Sequence, residues 1–176
     1  MKWIMVPLLF FALFILYRYL SVRPGRMAAR DRSRKMLKEI IRIPIGIKVT
    51  MVPESVKAVK GGRSGCKFTW NYVTQVETMG KEIIIYEFGA FVWKGDHWLF
   101  STINNRPFKL KEFEEWYDCE DGKLRPGEVY TDLSNYSGND YLIEKKSRWY
   151  FLGSDMDGNS FRGEAIVTCE SKLEGE

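Results

Sequence analysis

The stretch Arg148 to Val167, RWYFLGSDMDGNSFRGEAIV, decides how this chain is read. Two apolar arms, RWYFLG and FRGEAIV, flank a segment in which Asp155, Asp157 and Asn159 place oxygen side chains at alternate positions, as the first ligands of a calcium loop would be. The remainder of that motif fails. Ser160 stands where an EF-hand needs glycine and Ile166 where it needs a bidentate glutamate, Glu164 comes two residues early, and the flanks are strand-like where helices are required. Asp-Gly between apolar arms is instead a hairpin signal, because Gly158 is free to adopt positive φ and Asp157 can bond its own backbone. Tyr141–Leu152 and Ser160–Cys169 therefore read as an antiparallel pair, and no metal site is assigned to the turn between them.

Working outward, the same alternation recurs. Ile45–Val52 and Ser55–Lys60 read as strands parted at Pro53-Glu54, followed by a flexible turn at Gly61–Gly65. In Cys66–Thr78, Phe68, Trp70 and Tyr72 alternate, and Lys81–Phe88 reads as the next strand. In FVWKGDHWLF the four-residue link Lys94–His97 lets Trp93 and Trp98 meet across a hairpin. His97 is thus a turn residue, with no serine or cysteine partner to make it catalytic. Pro107 introduces the one internal helix, RPFKLKEFEEWYDC, with Phe113, Trp116 and Tyr117 on one side. Glu114 and Glu115 are adjacent, so they diverge by about 100° and do not form a paired-carboxylate site. Asp118–Gly127 and Asn135–Asp140 read as loops around a short strand at Val129–Leu133, and Glu170–Glu176 as a frayed polar tail.

Phe68-Thr69-Trp70 with Val73 and Val76 at three-residue steps, and a closing helix over Phe108–Trp116, resemble the small bacterial PH-like domains. That resemblance covers residues 48–116. It implies an interaction or lipid-surface module, often appended to a membrane helix, and brings no site residues with it.

The amino-terminal segment is of another kind. Trp3–Tyr17 is free of charge, and the apolar character continues through Tyr19 and Leu20. Eighteen helical residues rise about 27 Å, near the hydrocarbon thickness of a bilayer. Trp3, Tyr17 and Tyr19 suit interfacial aromatic belts, and the bulky, basic residues that follow do not suit signal-peptide cleavage. Residues 18–42 hold nine Lys or Arg against Asp31 and Glu39, a local charge of +7, so setting these and Lys2 aside from the net +4 leaves residues 43–176 at −4. A mildly acidic domain argues against nucleic-acid binding. The basic flank puts the domain on the cytoplasmic side, and within it Arg23, Arg26, Arg30, Arg34 and Lys35 are candidate contacts to anionic headgroups, the last three on a short amphipathic helix over Met27–Arg42. Three unpaired cysteines without C-x-x-C spacing agree with a reducing compartment. The sequon Asn135-Tyr136-Ser137 matters only if that orientation is wrong.

The expected fold class is α+β, mainly antiparallel β, a PH-like or open-barrel sheet with one packed helix, preceded by a single transmembrane helix. The expected divisions are an anchor at 1–20, a basic linker helix at 21–44, a β-rich domain at 45–170 and a tail at 171–176. No cofactor is indicated. The leading functional expectation is a membrane-anchored, non-catalytic domain that binds a membrane-protein partner or assembles a membrane complex. The first alternative is a lipid or apolar ligand held by the β domain. The second is a hydrolase using loop carboxylates such as Asp118, Asp121 and Asp132.

Overall fold

The computed structural model describes residues 25, 27–61 and 63–175. The hairpin predicted from the opening stretch is the centre of the fold. Strand β11 (Lys145–Ser154) pairs with β12 (Ser160–Leu173) from Lys145↔Cys169 to Ser154↔Ser160. Asp155 closes the turn: its carboxylate accepts from the backbone N–H of Asp157 at 3.0 Å and of Asn159 at 2.9 Å, while Gly158 takes φ +82°. On its other edge β11 pairs with the long strand β5 (Ile83–Trp93). Beside β5 lie three short strands, β6 (Trp98–Phe100), β7 (Phe108–Lys109) and β8 (Lys123–Leu124). Trp93 and Trp98 pair across the β5–β6 turn with ring centroids 5.2 Å apart, as their spacing predicts.

The first half of the chain forms one long, interrupted hairpin. Strands β1 (Ile47–Val52) and β2 (Ser55–Lys60) are separated at Pro53, which has no N–H to give to a ladder. Their partners, β4 (Val73–Thr78) and β3 (Phe68–Asn71), are separated at Tyr72, whose N–H goes to the Asn135 carbonyl at 3.0 Å. The two halves diverge into different sheets. β1 and β4 join β9 (Tyr130–Asp132) in a three-stranded sheet, whereas β2 and β3 join β10 (Tyr136–Asn139) in the main one, of order β10-β3-β2-β12-β11-β5-β6. β12 links the two sheets. Its carboxyl-terminal part runs parallel to β2, and near its start the Arg162 N–H and carbonyl bond the Pro44 carbonyl and the Gly46 N–H. Gly163 allows this approach, since a Cβ there would lie 2.4 Å from the Ile47 carbonyl oxygen.

Two helices cover the main sheet. Helix α1, over residues 27–42, lays Ser33, Met36, Leu37 and Ile40 against Phe91, Tyr150, Leu152, Trp98 and Phe100. Ser33 and Ile40 are 2% and 3% exposed, and the Ser33 hydroxyl accepts the Phe100 N–H at 2.9 Å. Helix α2 (Leu110–Tyr117) packs on the opposite, inner face, where Phe113 and Tyr117 meet Phe88 and Phe151. It begins later than Pro107 suggests, because Phe108 and Lys109 are first used to pair with Phe88 and Glu87, and Glu112 then caps the helix by accepting the Lys109 N–H at 2.9 Å.

The expected fold class is therefore corrected. The architecture is a curled, mixed sheet with a second small sheet and two packed helices, rather than a PH-like or open antiparallel barrel with one. The second helix arises because the outer face of β5 and β11 carries Phe91, Tyr150 and Leu152, and an apolar sheet face must be covered. The parallel pair arises because β12 is long enough to reach from β1 to β2. Among the described residues no helix is long and apolar enough to cross a membrane. The apolar run expected to do so, with Trp3, Tyr17 and Tyr19, lies outside the described residues. Residues 136–139, expected as a turn, form β10, and β12 continues to Leu173, which pairs with Ala58.

Candidate ligand-binding cleft

The inner face of β5 and β11 is not covered along its full length. Toward the start of β11, beyond the reach of α2, it opens into a cleft of about 1070 Å³. Strand alternation decides what faces it: stepping back by twos from Phe151, the inward residues are Trp149, Ser147 and Lys145. Ala90 of β5 extends the floor, Trp116 of α2 closes one end, and β10 with the segment Thr131–Asn135 forms a polar wall. The mouth is apolar and wet, with Ile103 69% exposed and Leu133 77% exposed.

The aromatic floor is rigid. Phe108 packs on Trp116 with centroids 4.6 Å apart, and the Trp149 indole N–H donates to the Tyr72 hydroxyl at 2.9 Å, which fixes the ring plane. Burial pushes the Tyr72 phenol far above its ordinary value, so it stays neutral. On the wall, Asn135 is buried and its side-chain amide donates to the Thr74 hydroxyl at 2.7 Å, so the sequon's asparagine is committed to the interior. Asp132 accepts the Ser134 N–H at 2.8 Å, and burial raises its carboxyl above the usual range against the opposing pull of that N–H and of Arg63.

Where the sheet curls far enough for β10 to face β11, no ladder joins them and side chains bridge the gap. The Lys145 ammonium donates to the Gly138 carbonyl at 2.9 Å and sits 4.4 Å from the centroid of the Trp70 ring, and the Ser137 and Ser147 hydroxyl oxygens lie 3.5 Å apart. Lys145 is 9% exposed, and burial lowers its amine below the ordinary lysine value. Cys169 stands opposite it in the ladder, its thiol pushed up to about 11 by burial and hence protonated at neutral pH. The Cys119 thiol, also buried, is pushed up to about 12.

The candidates singled out from sequence lie elsewhere. Arg30, Arg34 and Lys35 are exposed on α1, and Arg30 pairs with Asp96 at 2.9 Å; Arg23 and Arg26 lie outside the described residues. His97 sits in the β5–β6 turn with its Nδ1 on the Asp96 carboxylate. Of the three loop carboxylates, Asp132 lines the cleft, while Asp118 ends α2 in the left-handed conformation and Asp121 occupies the turn before β8. The hydrolase expectation is thus given no cluster by these three. Among the described residues no group of three or more His, Cys, Asp or Glu side chains could hold a metal. The residue missed by sequence reading is Lys145. Its signal was the inward register of KKSRWYF, in which the first lysine falls on the same face as Trp149 and Phe151.

No protein-family model and no curated protein matches the chain. A solved structure described as "Crystal Structure of the Putative ApaA Protein from Bordetella pertussis" is similar at 10% identity, covering 76% of this chain and 98% of that one, with a TM-score of 0.42. So distant a likeness carries no weight for function.

Proposed function

We propose that the β domain is a non-catalytic binding module that takes an apolar small molecule or lipid into the cleft between β10, β11 and α2. The observation that carries this is the cleft itself: about 1070 Å³ over a fixed aromatic floor, with exposed Ile103, Leu133 and Ile143 at its mouth. Ligand sites in proteins are concave, mostly apolar and lined by a few placed polar groups, with volumes of roughly 300–1,000 Å³. An ordinary core would have closed this space, since interiors pack to the density of organic crystals. The non-catalytic part of the reading is supported by the Cys169 thiol, which burial holds protonated and so poorly nucleophilic.

The test is titration of the full-length protein with the neutral fluorophore N-phenyl-1-naphthylamine. Saturable binding at one site is expected, weakened at least tenfold by Val92→Trp, which fills the cleft from β5. Non-saturable binding, or binding indifferent to Val92→Trp in a variant that melts like the wild type, would overturn the reading.

A further inference from the structure

We infer that Lys145 anchors an anionic headgroup and that the cleft's ligand is an amphipathic monocarboxylate, its acyl or aryl body lying over Trp149 and Trp116. This rests on the cleft being a site for apolar molecules and adds the class of molecule. Lysine is almost never fully buried unless paired. Here Lys145 as a residue is 9% exposed, yet among the described residues no carboxylate pairs with its ammonium; its partners are the Gly138 carbonyl and the Trp70 ring. An ammonium has three donors, so a side chain that lines the cleft keeps donor capacity that neither partner uses. Asp132, the cleft's buried carboxylate, is already engaged by the Ser134 N–H and held by Arg63. Glu144, next to Lys145 in sequence, is exposed.

Charge balance selects the headgroup. Buried ions are tolerated when paired one to one. At Lys145, the one buried cation among the described lining residues, a carboxylate balances the charge one to one. A phosphate dianion would carry a second charge that the Cys169 thiol and the Ser137 and Ser147 hydroxyls do not meet. That charge is left to the exposed, water-screened Lys94 and Arg63, which share the lining with Glu115, Asp132 and Glu144. Those hydroxyls do offer donors to the second carboxylate oxygen. Lys94 also lines the cleft and adds positive potential at Lys145.

The experiment follows the indole N–H resonances of Trp116 and Trp149 in the full-length protein during titration with dodecanoate, dodecan-1-ol and dodecyl phosphate. Expected is at least a tenfold preference for dodecanoate over both others, falling below twofold in Lys145→Gln. Equal binding of dodecanoate and dodecan-1-ol by the wild type overturns the anchor and leaves the cleft as a site. Tighter binding of dodecyl phosphate overturns the monocarboxylate. Failure of all three to move these resonances overturns both the anchor and the binding reading. A second measurement needs no variant: the Lys145 13Cε titration should move upward in pH when dodecanoate is added, against the Cys169 and Cys66 thiols and Lys94 that surround it. An unmoved titration in the presence of bound dodecanoate also overturns the anchor.

Discussion

At Phe151 the inner face of β11 is sealed. Phe88 stacks on it with centroids 5.5 Å apart, and α2 lays Phe113 and Tyr117 over both. At Lys145, about 20 Å back along the same face, none of the described helices lies above, and the strand looks into the cleft. The strand chemistry differs in step: two aromatics at the sealed end, then a serine and a lysine. What separates the ends is the cover. Helix α2 has eight residues, enough for one apolar stripe of Phe113, Trp116 and Tyr117, and it ends at Asp118 in the left-handed conformation. Beyond it the described residues around the cleft are the short strand β10, the Thr131–Asn135 segment and loops, which supply no continuous apolar face. The sealed end is where stability should lie, and the open end is where sequence can vary without unfolding the chain.

Phe88→Ala gives that contrast its hardest test. Phe88 is fully buried against Phe108, Phe113, Trp116, Tyr117, Trp149 and Phe151, so truncation is expected to cost about 3–5 kcal/mol in urea unfolding. A loss under about 1 kcal/mol would mean that the aromatic cluster is not the stabilising centre. On the outer face, Ile40→Ala should cost less, near the lower end of the roughly 2–5 kcal/mol range, because the last turn of a helix can relax into the space. If urea unfolding leaves stability unchanged, α1 is not part of the cooperative unit.

Acid titration separates the turn from the cleft by sign. The Asn159 side-chain amide, then its backbone N–H and Lys81, hold the Asp155 carboxyl below the usual carboxylate range. The folded state thus binds that proton less readily than the unfolded chain, and the stability present above pH about 4 is lost as pH falls through the depressed folded value. Asp132 runs the other way. Burial raises its folded value, so its contribution is full below pH about 4 and is lost as pH rises through that raised value. Melting curves from acid to neutral pH should show a flattened acid limb for Asp155→Asn and, for Asp132→Asn, a gain over wild type that grows as pH rises above about 4. Two variants with the same slope as wild type would refute the assignment.

The smallest expected effect belongs to Tyr117→Phe. The Tyr117 hydroxyl is buried with no hydrogen-bond partner among the described residues, so removing it should change stability by less than about 1 kcal/mol, in either direction. A loss well beyond that in the same assay would reveal a partner, with nearby Thr74 the first to examine.

Much of the fold was legible because its signals are local. Asp-Gly between apolar arms marks a hairpin wherever it occurs, and the turn at Asp155–Asn159 closes as expected; Trp93 and Trp98 meet for the same reason. Asn135–Asp140 was misread because its polar, glycine-containing composition is that of a loop, yet β3 offered a free edge and Tyr136–Asn139 took it. The amphipathic stripe of residues 27–42 was visible too, but not what it would cover: only with β5 and β11 in register do Phe91, Tyr150 and Leu152 form the surface on which Ile40 lies. The cleft was illegible for a related reason. An inward lysine reads the same whether the space above it is filled or empty.

Backbone periodicity and turn chemistry over a few neighbouring residues set most of the strands, the hairpin at Asp155–Asn159, the helix with Phe113 and Tyr117 inward, and the alternation that puts Lys145 on the face of Trp149, though not β10 or the end of β12. That β12 bridges two sheets, that α1 packs on one face and that α2 stops short on the other came from long-range packing. Those outcomes depend on surfaces assembled from residues as much as 119 positions apart, as in the bond from Arg162 to the Ile43 carbonyl, and no local rule encodes which apolar face finds a cover and which is left open.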